Sequence, residues 1–159
     1  MLKQWIISSS LISCLIITGC ATTTSAPTQP QTKSESTTSA QVDSQNQLYT
    51  QHWMATEING FQVQSSEKIP QIQFDAASKR FSGSDGCNQI MGSFNTSDDN
   101  LSLGQIATTK MMCTDANSLT ATQYQQALAK VARYRVSSEL LVLFDQHGQT
   151  LIAFKQANS

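Results

Sequence analysis

Charge is scarce in this sequence. Only 13% of its 159 residues are charged, about half of the roughly 25% that is usual in soluble proteins. The formal net charge is −1, whereas nucleic-acid-binding domains are normally basic, with clustered Lys and Arg. The composition therefore argues against that class of function, and we expect no nucleic-acid partner.

Motifs of catalytic and metal chemistry are missing as well. Only two histidines are present, and there is no glycine-rich phosphate loop. The sequence Gly-Ser-Asp-Gly at 83–86 does not match the G-x-S-x-G nucleophile elbow. The Asp-Asp-Asn run at 98–100 lacks the spaced carboxylates of a calcium loop, so we expect a hairpin tip there. We predict no catalytic residues, no metal site and no cofactor.

Residues 1–19 are typical of a signal peptide. Lys3 precedes a mostly apolar stretch at 5–17, which is too short for a membrane-spanning helix of about 20 residues. The stretch ends in Ile-Thr-Gly-Cys at 17–20, which resembles a bacterial lipobox. That resemblance implies a diacylglycerol on Cys20 and cleavage just before it. A plain signal peptide with an incidental cysteine is the alternative.

Residues 20–48 are predicted to be the lipidated cysteine and a disordered tether. The segment is rich in Thr, Ser and Gln, contains Pro27 and Pro30, and has almost no bulky apolar residues. Such a composition cannot bury enough surface to fold. Ala21, rather than Asp, follows the lipidated cysteine, and by resemblance to enterobacterial sorting rules this implies the outer membrane. We expect a protein of the cell envelope that is lipid-anchored and faces the periplasm.

The chain has four cysteines. Cys14 is removed with the signal peptide and Cys20 carries the lipid, which leaves Cys87 and Cys113. An oxidising compartment favours a disulfide between them. Closing a loop of 26 residues would stabilise the fold by roughly 3.5 kcal/mol. Two buried free thiols are the alternative, and a metal pair is disfavoured because no C-x-x-C motif or nearby His is present.

The remaining chain, 49–159, is predicted to form one small domain. Alternating apolar and polar residues, as at 71–75, indicate strands, and Asn-Gly at 59–60 indicates a hairpin turn. A first strand is expected over 49–58. The segment 120–133 has helical apolar spacing and begins with a Thr-x-x-Gln capping box, so it is predicted to be an amphipathic helix. We expect a mostly β (α+β) fold: a small antiparallel barrel or strongly curved sheet of about eight short strands, with one helix near the C-terminal third.

Several motifs of this domain match one family. They include Trp53, Gly-Cys-Asn at 86–88, Gly92, and Thr-Lys-Met-Met-Cys at 109–113 just before the helix. With these motifs the domain resembles the META (HslJ-like) family over about residues 53–154. The resemblance implies a small, mostly β domain with one helix. It also implies an association with envelope stress or antibiotic tolerance, and it brings no catalytic residues.

The signature residues are expected to have structural roles. Gly86 permits a positive φ or a close backbone approach, and Asn88 is expected to bond its local backbone and fix a turn. Met111 and Met112 are expected as apolar fillers on opposite faces of a strand. The predicted signature consists of Trp53, Gly86, Asn88, Gly92, Thr109 and Met111.

The expected function is therefore that of a non-enzymatic envelope lipoprotein that binds a protein or a small ligand. Such a surface should appear as an exposed apolar patch. An inhibitor of a cell-wall hydrolase such as lysozyme is the alternative, and an envelope hydrolase is less favoured.

Overall fold

A computed structural model describes residues 45–64 and 68–157. The predicted signal peptide, Cys20 and the tether as far as residue 44 lie outside the described residues. Within the part that is described, no helix combines the length and apolar character needed to cross a membrane.

Ten antiparallel strands from the described residues make up the sheet. Eight of them close into a barrel, because the last strand pairs with the first, and this confirms the barrel predicted from the sequence. The strands are β1 His52–Ile58, β2 Phe61–Gln62, β3 Gln71–Asp75, β4 Arg80–Ser84, β5 Gln89–Ser97, β6 Asn100–Leu103, β7 Ala107–Thr108, β8 Arg133–Val136, β9 Leu140–Phe144 and β10 Thr150–Gln156. The barrel order is β1, β3, β4, β5, β6, β8, β9 and β10, while β2 lies beside β1 and β7 beside β5.

Alternation along the strands fills the barrel interior. In β5 the side chains of Ile90 and Phe94 and the backbone of Gly92 point inward, while their neighbours are exposed. Phe74 and Phe81 lie directly opposite each other in β3 and β4, and both are buried. Burying one such apolar side chain stabilises the fold by about 1.5–3 kcal/mol.

Position 92 requires glycine because the ring of Phe81, on the neighbouring strand β4, lies against it. A Cβ at this position would lie 2.6 Å from the ring of Phe81, closer than nonbonded carbon atoms approach. The absence of a side chain at Gly92 therefore leaves room for the Phe81 ring in the core.

The folded domain starts earlier than residue 49. Residues 45–50 form a helix, α1, and Leu48 within it is fully buried. The indole Nε1 of Trp53 donates to the Leu48 carbonyl oxygen at 3.2 Å. The predicted tether boundary at residue 48 therefore falls inside α1, and the strand expected from Tyr49 begins only at His52. The polar composition of residues 45–47 gave no sign of this helix, which packs on the core through the buried side chain of Leu48.

The second helix, α2, spans Asp115–Leu128 rather than the predicted 120–133. Thr114 is its N-cap, and Thr120, expected to begin the helix, instead bonds the Ala116 carbonyl oxygen one turn back. The capping-box prediction was wrong because the chain already enters the helix directly after Cys113. The apolar face was predicted correctly, since Tyr124, Ala127 and Leu128 are buried.

Candidate binding surface beside the disulfide

A buried carboxylate organises the turn between β4 and β5. Asp85 is fully buried, and its Oδ1 accepts hydrogen bonds from the backbone N–H groups of Cys87 at 2.9 Å and Asn88 at 2.6 Å. Its Oδ2 accepts from Asn88 Nδ2 at 3.1 Å. Hydrogen bonds to a charged acceptor are roughly twice as strong as neutral ones, so they offset the cost of burying this group.

Helix α2 reaches the same carboxylate. Gln125 Nε2 donates to Asp85 Oδ2, which joins the last turn of the helix to the turn between β4 and β5. The neighbouring Tyr124 is fully buried, and its hydroxyl has no hydrogen-bond partner among the described residues. Burial, followed by the nearby negative charge of Asp85, raises the pKa of Tyr124 well above its usual value. The helix is therefore fixed to the turn by one polar contact and by a buried aromatic ring.

Sequence reasoning missed both Asp85 and Gln125. The Gly-Ser-Asp-Gly run at 83–86 was compared only with the nucleophile elbow, although Asp commonly accepts hydrogen bonds from the backbone two residues on. That spacing was the available signal for Asp85. Nothing in the sequence indicates which helix residue would reach it.

The two cysteines expected to pair lie together. Cys87 and Cys113 are at disulfide distance, with their Cα atoms 5.8 Å apart, within the usual range for disulfides. Cys87 is buried and Cys113 is half-buried. The pair attaches residues 109–114, which follow β7, to the start of β5.

Hydrogen bonds fasten the same segment at two more points. Asn88 Oδ1 accepts from the Met111 backbone N–H at 2.9 Å, and Thr109 Oγ1 accepts from the Gln89 backbone N–H at 3.0 Å. Asn88 therefore does more than the local turn bonding that was expected of it. Its amide nitrogen contacts Asp85 while its oxygen crosses to the segment at 109–114.

Gly86 permits the close approach of the loop before β3. Its φ is +92°, and a Cβ would lie 2.8 Å from the Lys68 carbonyl oxygen. A side chain there would be strained both by the backbone conformation and by this contact. Trp53, the first residue of the signature, lies instead in the barrel core.

Met111 and Met112 are not in a strand, contrary to expectation, because β7 ends at Thr108. Met111 is 54% exposed and Met112 is 102% exposed. Their backbone is held by the disulfide and by Asn88 rather than by sheet pairing, so neither side chain is directed into the core. We call these two residues the methionine ridge.

Two hollows flank the ridge. The larger, of about 380 Å³, extends from Met111 over the outer barrel surface to Met54, with Lys68 and Ile69 at its side. The smaller, of about 270 Å³, lies between Met111 and helix α2 and includes Asn88 and Lys110. Leu119 on α2 is exposed as well. The ridge thus offers apolar contact area, with concave surface on two sides of Met111.

The side chains that line these two hollows are of types that bind a partner through apolar contacts and hydrogen bonds. Their linings combine methionine side chains, amides and hydroxyls. His52 at the start of β1 and His147 in the turn after β9 line neither hollow. In residues 45–64 and 68–157 no group of three or more His, Cys, Asp or Glu is placed to hold a metal ion.

Comparison with known proteins identifies the family. The META domain matches residues 46–158. Among solved structures, the chain is similar to a protein with an NMR structure at 27% identity, with 69% of this chain and 92% of that chain covered and a TM-score of 0.55. It is similar in fold to a protein from Burkholderia xenovorans, at 20% identity, 84% and 100% coverage and a TM-score of 0.57. A DUF4847 family protein from Bacteroides vulgatus shares the fold at 18% identity, 70% and 96% coverage and a TM-score of 0.52.

No curated protein matches the chain. The family match covers most of the chain and almost all of the described residues, and the solved structures share its fold. The chain therefore belongs to the META domain family.

Proposed function

We propose that this protein is a non-enzymatic envelope lipoprotein whose META domain binds a protein or small ligand in envelope stress or antibiotic tolerance. The observation that carries the proposal is the methionine ridge, because two apolar side chains are held in solvent and one of them, Met111, lines two hollows. Exposed apolar patches next to concave surface are typical of interaction sites. Methionine is common at such surfaces because its flexible thioether adapts to different partners.

The contacts that hold the backbone of the ridge in place support a binding role. The disulfide, the Asn88–Met111 hydrogen bond and the Thr109–Gln89 hydrogen bonds all fix the backbone of the segment. A surface that is ordered before binding loses less conformational entropy when a partner arrives. The backbone is therefore prepared for a partner, while the methionine side chains retain their freedom to adapt.

The proposed location comes from the N-terminal sequence. The lipobox-like Ile-Thr-Gly-Cys at 17–20 and the polar stretch after it are the features of an acylated, tethered lipoprotein. If residues 21–44 act as the predicted tether, these 24 residues would reach about 25–30 Å, and the ridge would be accessible to other envelope proteins.

Site-specific photocrosslinking of the full-length protein in living cells tests the proposal. We expect benzoylphenylalanine at Met112 to give a discrete crosslinked product, and the same probe at Phe61 to give none. Phe61 is a matched control because it is also apolar and is 71% exposed, on β2. The proposal fails if Met112 yields no product, or only the products obtained at Phe61. A Cys20→Ala variant would show whether the product depends on the anchor.

One observation favours the alternative of a hydrolase inhibitor. Met112 is fully exposed on a segment that a disulfide attaches to the barrel, and a rigid protruding segment of this kind can block a cleft. In a lysozyme assay, inhibition by the full-length protein that is lost in Met112→Asp would support this reading. Undiminished lysozyme activity would contradict it.

A further inference from the structure

The larger hollow is a groove that crosses the strands. Met54, Gln71, Ser84 and Gln89 are direct neighbours in register on β1, β3, β4 and β5, and all four line it. They form a row perpendicular to the strands on the outside of the barrel, with Met111 at its end. We call this row and its margins the Met54 groove.

Both apolar and polar side chains line the Met54 groove. Met54, Ile69 and Met111 provide apolar contacts, and Gln71 and Gln89 provide exposed amides. Neither side-chain amide makes a hydrogen bond to another described residue. The volume of about 380 Å³ lies within the range of about 300–1,000 Å³ that is usual for ligand sites.

The spacing of the two glutamines suits an extended polypeptide. Gln71 and Gln89 are separated by one intervening strand, so their backbones are about 10 Å apart, or two strand spacings. An extended chain covers this distance in about three residues. A glutamine amide both donates and accepts hydrogen bonds, so the pair matches the N–H and C=O groups of such a chain.

Among the described residues that line the two hollows, the charge has one sign. Lys68 is the charged residue of the groove lining in that set, and Lys110 is the charged residue of the smaller hollow. Lys155 on β10 is the register partner of Met54. No carboxylate of the described residues lines either hollow. A positively charged surface attracts and orients a negatively charged partner.

We propose that the Met54 groove binds an extended acidic segment of a partner protein. This rests on the proposed function, since it identifies the kind of partner that the ridge would meet. One apolar side chain of the segment lies between Met54 and Met111, its backbone bonds the amides of Gln71 and Gln89, and its carboxylates face Lys68. The chain's own tether is not the occupant, because residues 21–44 contain almost no bulky apolar side chain.

Selection of displayed peptides on the full-length protein in detergent micelles tests the inference. The probe is a library of random heptapeptides, and the strongest binders are then synthesised and titrated. We expect acidic peptides with a central Leu, Met or Phe. We expect Lys68→Glu to weaken them about fivefold, as an exposed charge contact allows, and Met111→Asp to weaken them further. Lys130→Glu is the matched control, because Lys130 is an exposed lysine outside both hollows.

Three results would overturn the inference. They are selected peptides without an acidic excess, binding that Lys68→Glu leaves unchanged, and self-association of the protein that Gln71→Trp abolishes. The last would assign the groove to a second copy. If Met112 still gives a crosslinked partner in cells while the selection fails, only the acidic segment is wrong. If both experiments fail, the proposed function falls as well.

Discussion

Asp85 and Gln125, which are 40 positions apart in the sequence, are hydrogen-bonded through Oδ2 and Nε2. The bond joins helix α2 to the turn that carries Cys87 and Asn88. Since those two residues hold the methionine ridge, the position of the ridge depends on a carboxylate that has no exposed surface.

Replacing this carboxylate should destabilise the domain. In Asp85→Asn one oxygen becomes an NH₂ group, which faces the donors Asn88 Nδ2 and Gln125 Nε2 instead of accepting from them. We expect a loss of about 2–3 kcal/mol in the free energy of unfolding, because buried donors lose a charged acceptor. Urea denaturation followed by circular dichroism measures it.

Asp75→Asn is the matched control. Asp75 Oδ1 also accepts two backbone N–H bonds, from Ala77 and Ser78, but in an exposed turn. The Asn oxygen retains both of these bonds, and the exposed Ser78 hydroxyl, which donates to Asp75 Oδ2, can bond water instead, so stability should change little. Equal effects of the two substitutions would show that burial of Asp85 is unimportant.

The unpartnered hydroxyl of Tyr124 predicts a stabilising substitution. Tyr124→Phe keeps the ring that packs edge-on against Phe154 and removes a buried oxygen without a hydrogen bond. We expect the free energy of unfolding to rise by about 1 kcal/mol near pH 7, since burying an unsatisfied polar group is unfavourable. A loss of stability would mean that the hydroxyl has a bound water as its partner.

The same residue predicts a pH dependence. Burial and the Asp85 charge raise the pKa of Tyr124 in the folded state, whereas the unfolded chain ionises near pH 10. Above pH 10 the unfolded state therefore loses a proton that the folded state keeps, and stability falls by up to about 1.4 kcal/mol per pH unit. Below pH 10 this contribution is fully present.

Comparing variants isolates the contribution of Tyr124 to the pH dependence of stability. Tyr124→Phe should show a shallower decline in unfolding free energy above pH 10 than the parent protein. Tyr134→Phe is the comparison variant and should flatten the decline less, because burial raises the pKa of Tyr134 without the added effect of the Asp85 charge. Parallel curves for the parent and Tyr124→Phe would contradict the prediction.

The strands and their buried faces were predictable from the sequence because the pattern that encodes them is local. Alternation in segments such as Gln71–Asp75 fixes which face is buried, and the Asn-Gly turn at 59–60 adopts the positive φ angles that its residues favour. The family signature added the position of the helix relative to Cys113. Barrel closure follows from the pairing of β1 with β10, which no local pattern encodes.

The helix boundaries and the exposure of the ridge were not predictable, because they depend on contacts between distant parts of the sequence. Thr120 and Gln123 have capping-box spacing, but the chain is already helical from Asp115, directly after the attached Cys113 and the N-cap Thr114. Met111 looks like a core residue by composition, but the disulfide and the hydrogen bond from its backbone to Asn88 hold it outside the sheet, where it is exposed. Such long-range contacts override local preference.

Gly92 offers a test of core packing. In Gly92→Ala the added methyl would lie 2.6 Å from the Phe81 ring, so the ring or the strand must move. We expect a loss of about 1–3 kcal/mol in unfolding free energy, as is typical of overpacking. The double variant Gly92→Ala with Phe81→Leu should lose less than the sum of the single changes, and additive losses would rule out this contact as the cause.

The disulfide gives the last prediction, because it connects stability with binding. The double variant Cys87→Ala/Cys113→Ala should lose about 3.5 kcal/mol of unfolding free energy, on the loop-entropy estimate. Dithiothreitol should lower the parent protein's stability by a similar amount and leave the double variant unaffected. The variant should also give less crosslinked product from benzoylphenylalanine at Met112, since only Asn88 and Thr109 would then hold the ridge. Two titratable thiols from Cys87 and Cys113 after non-reducing denaturation would show that the bond does not form in the cell, and the ridge would then depend on hydrogen bonds alone.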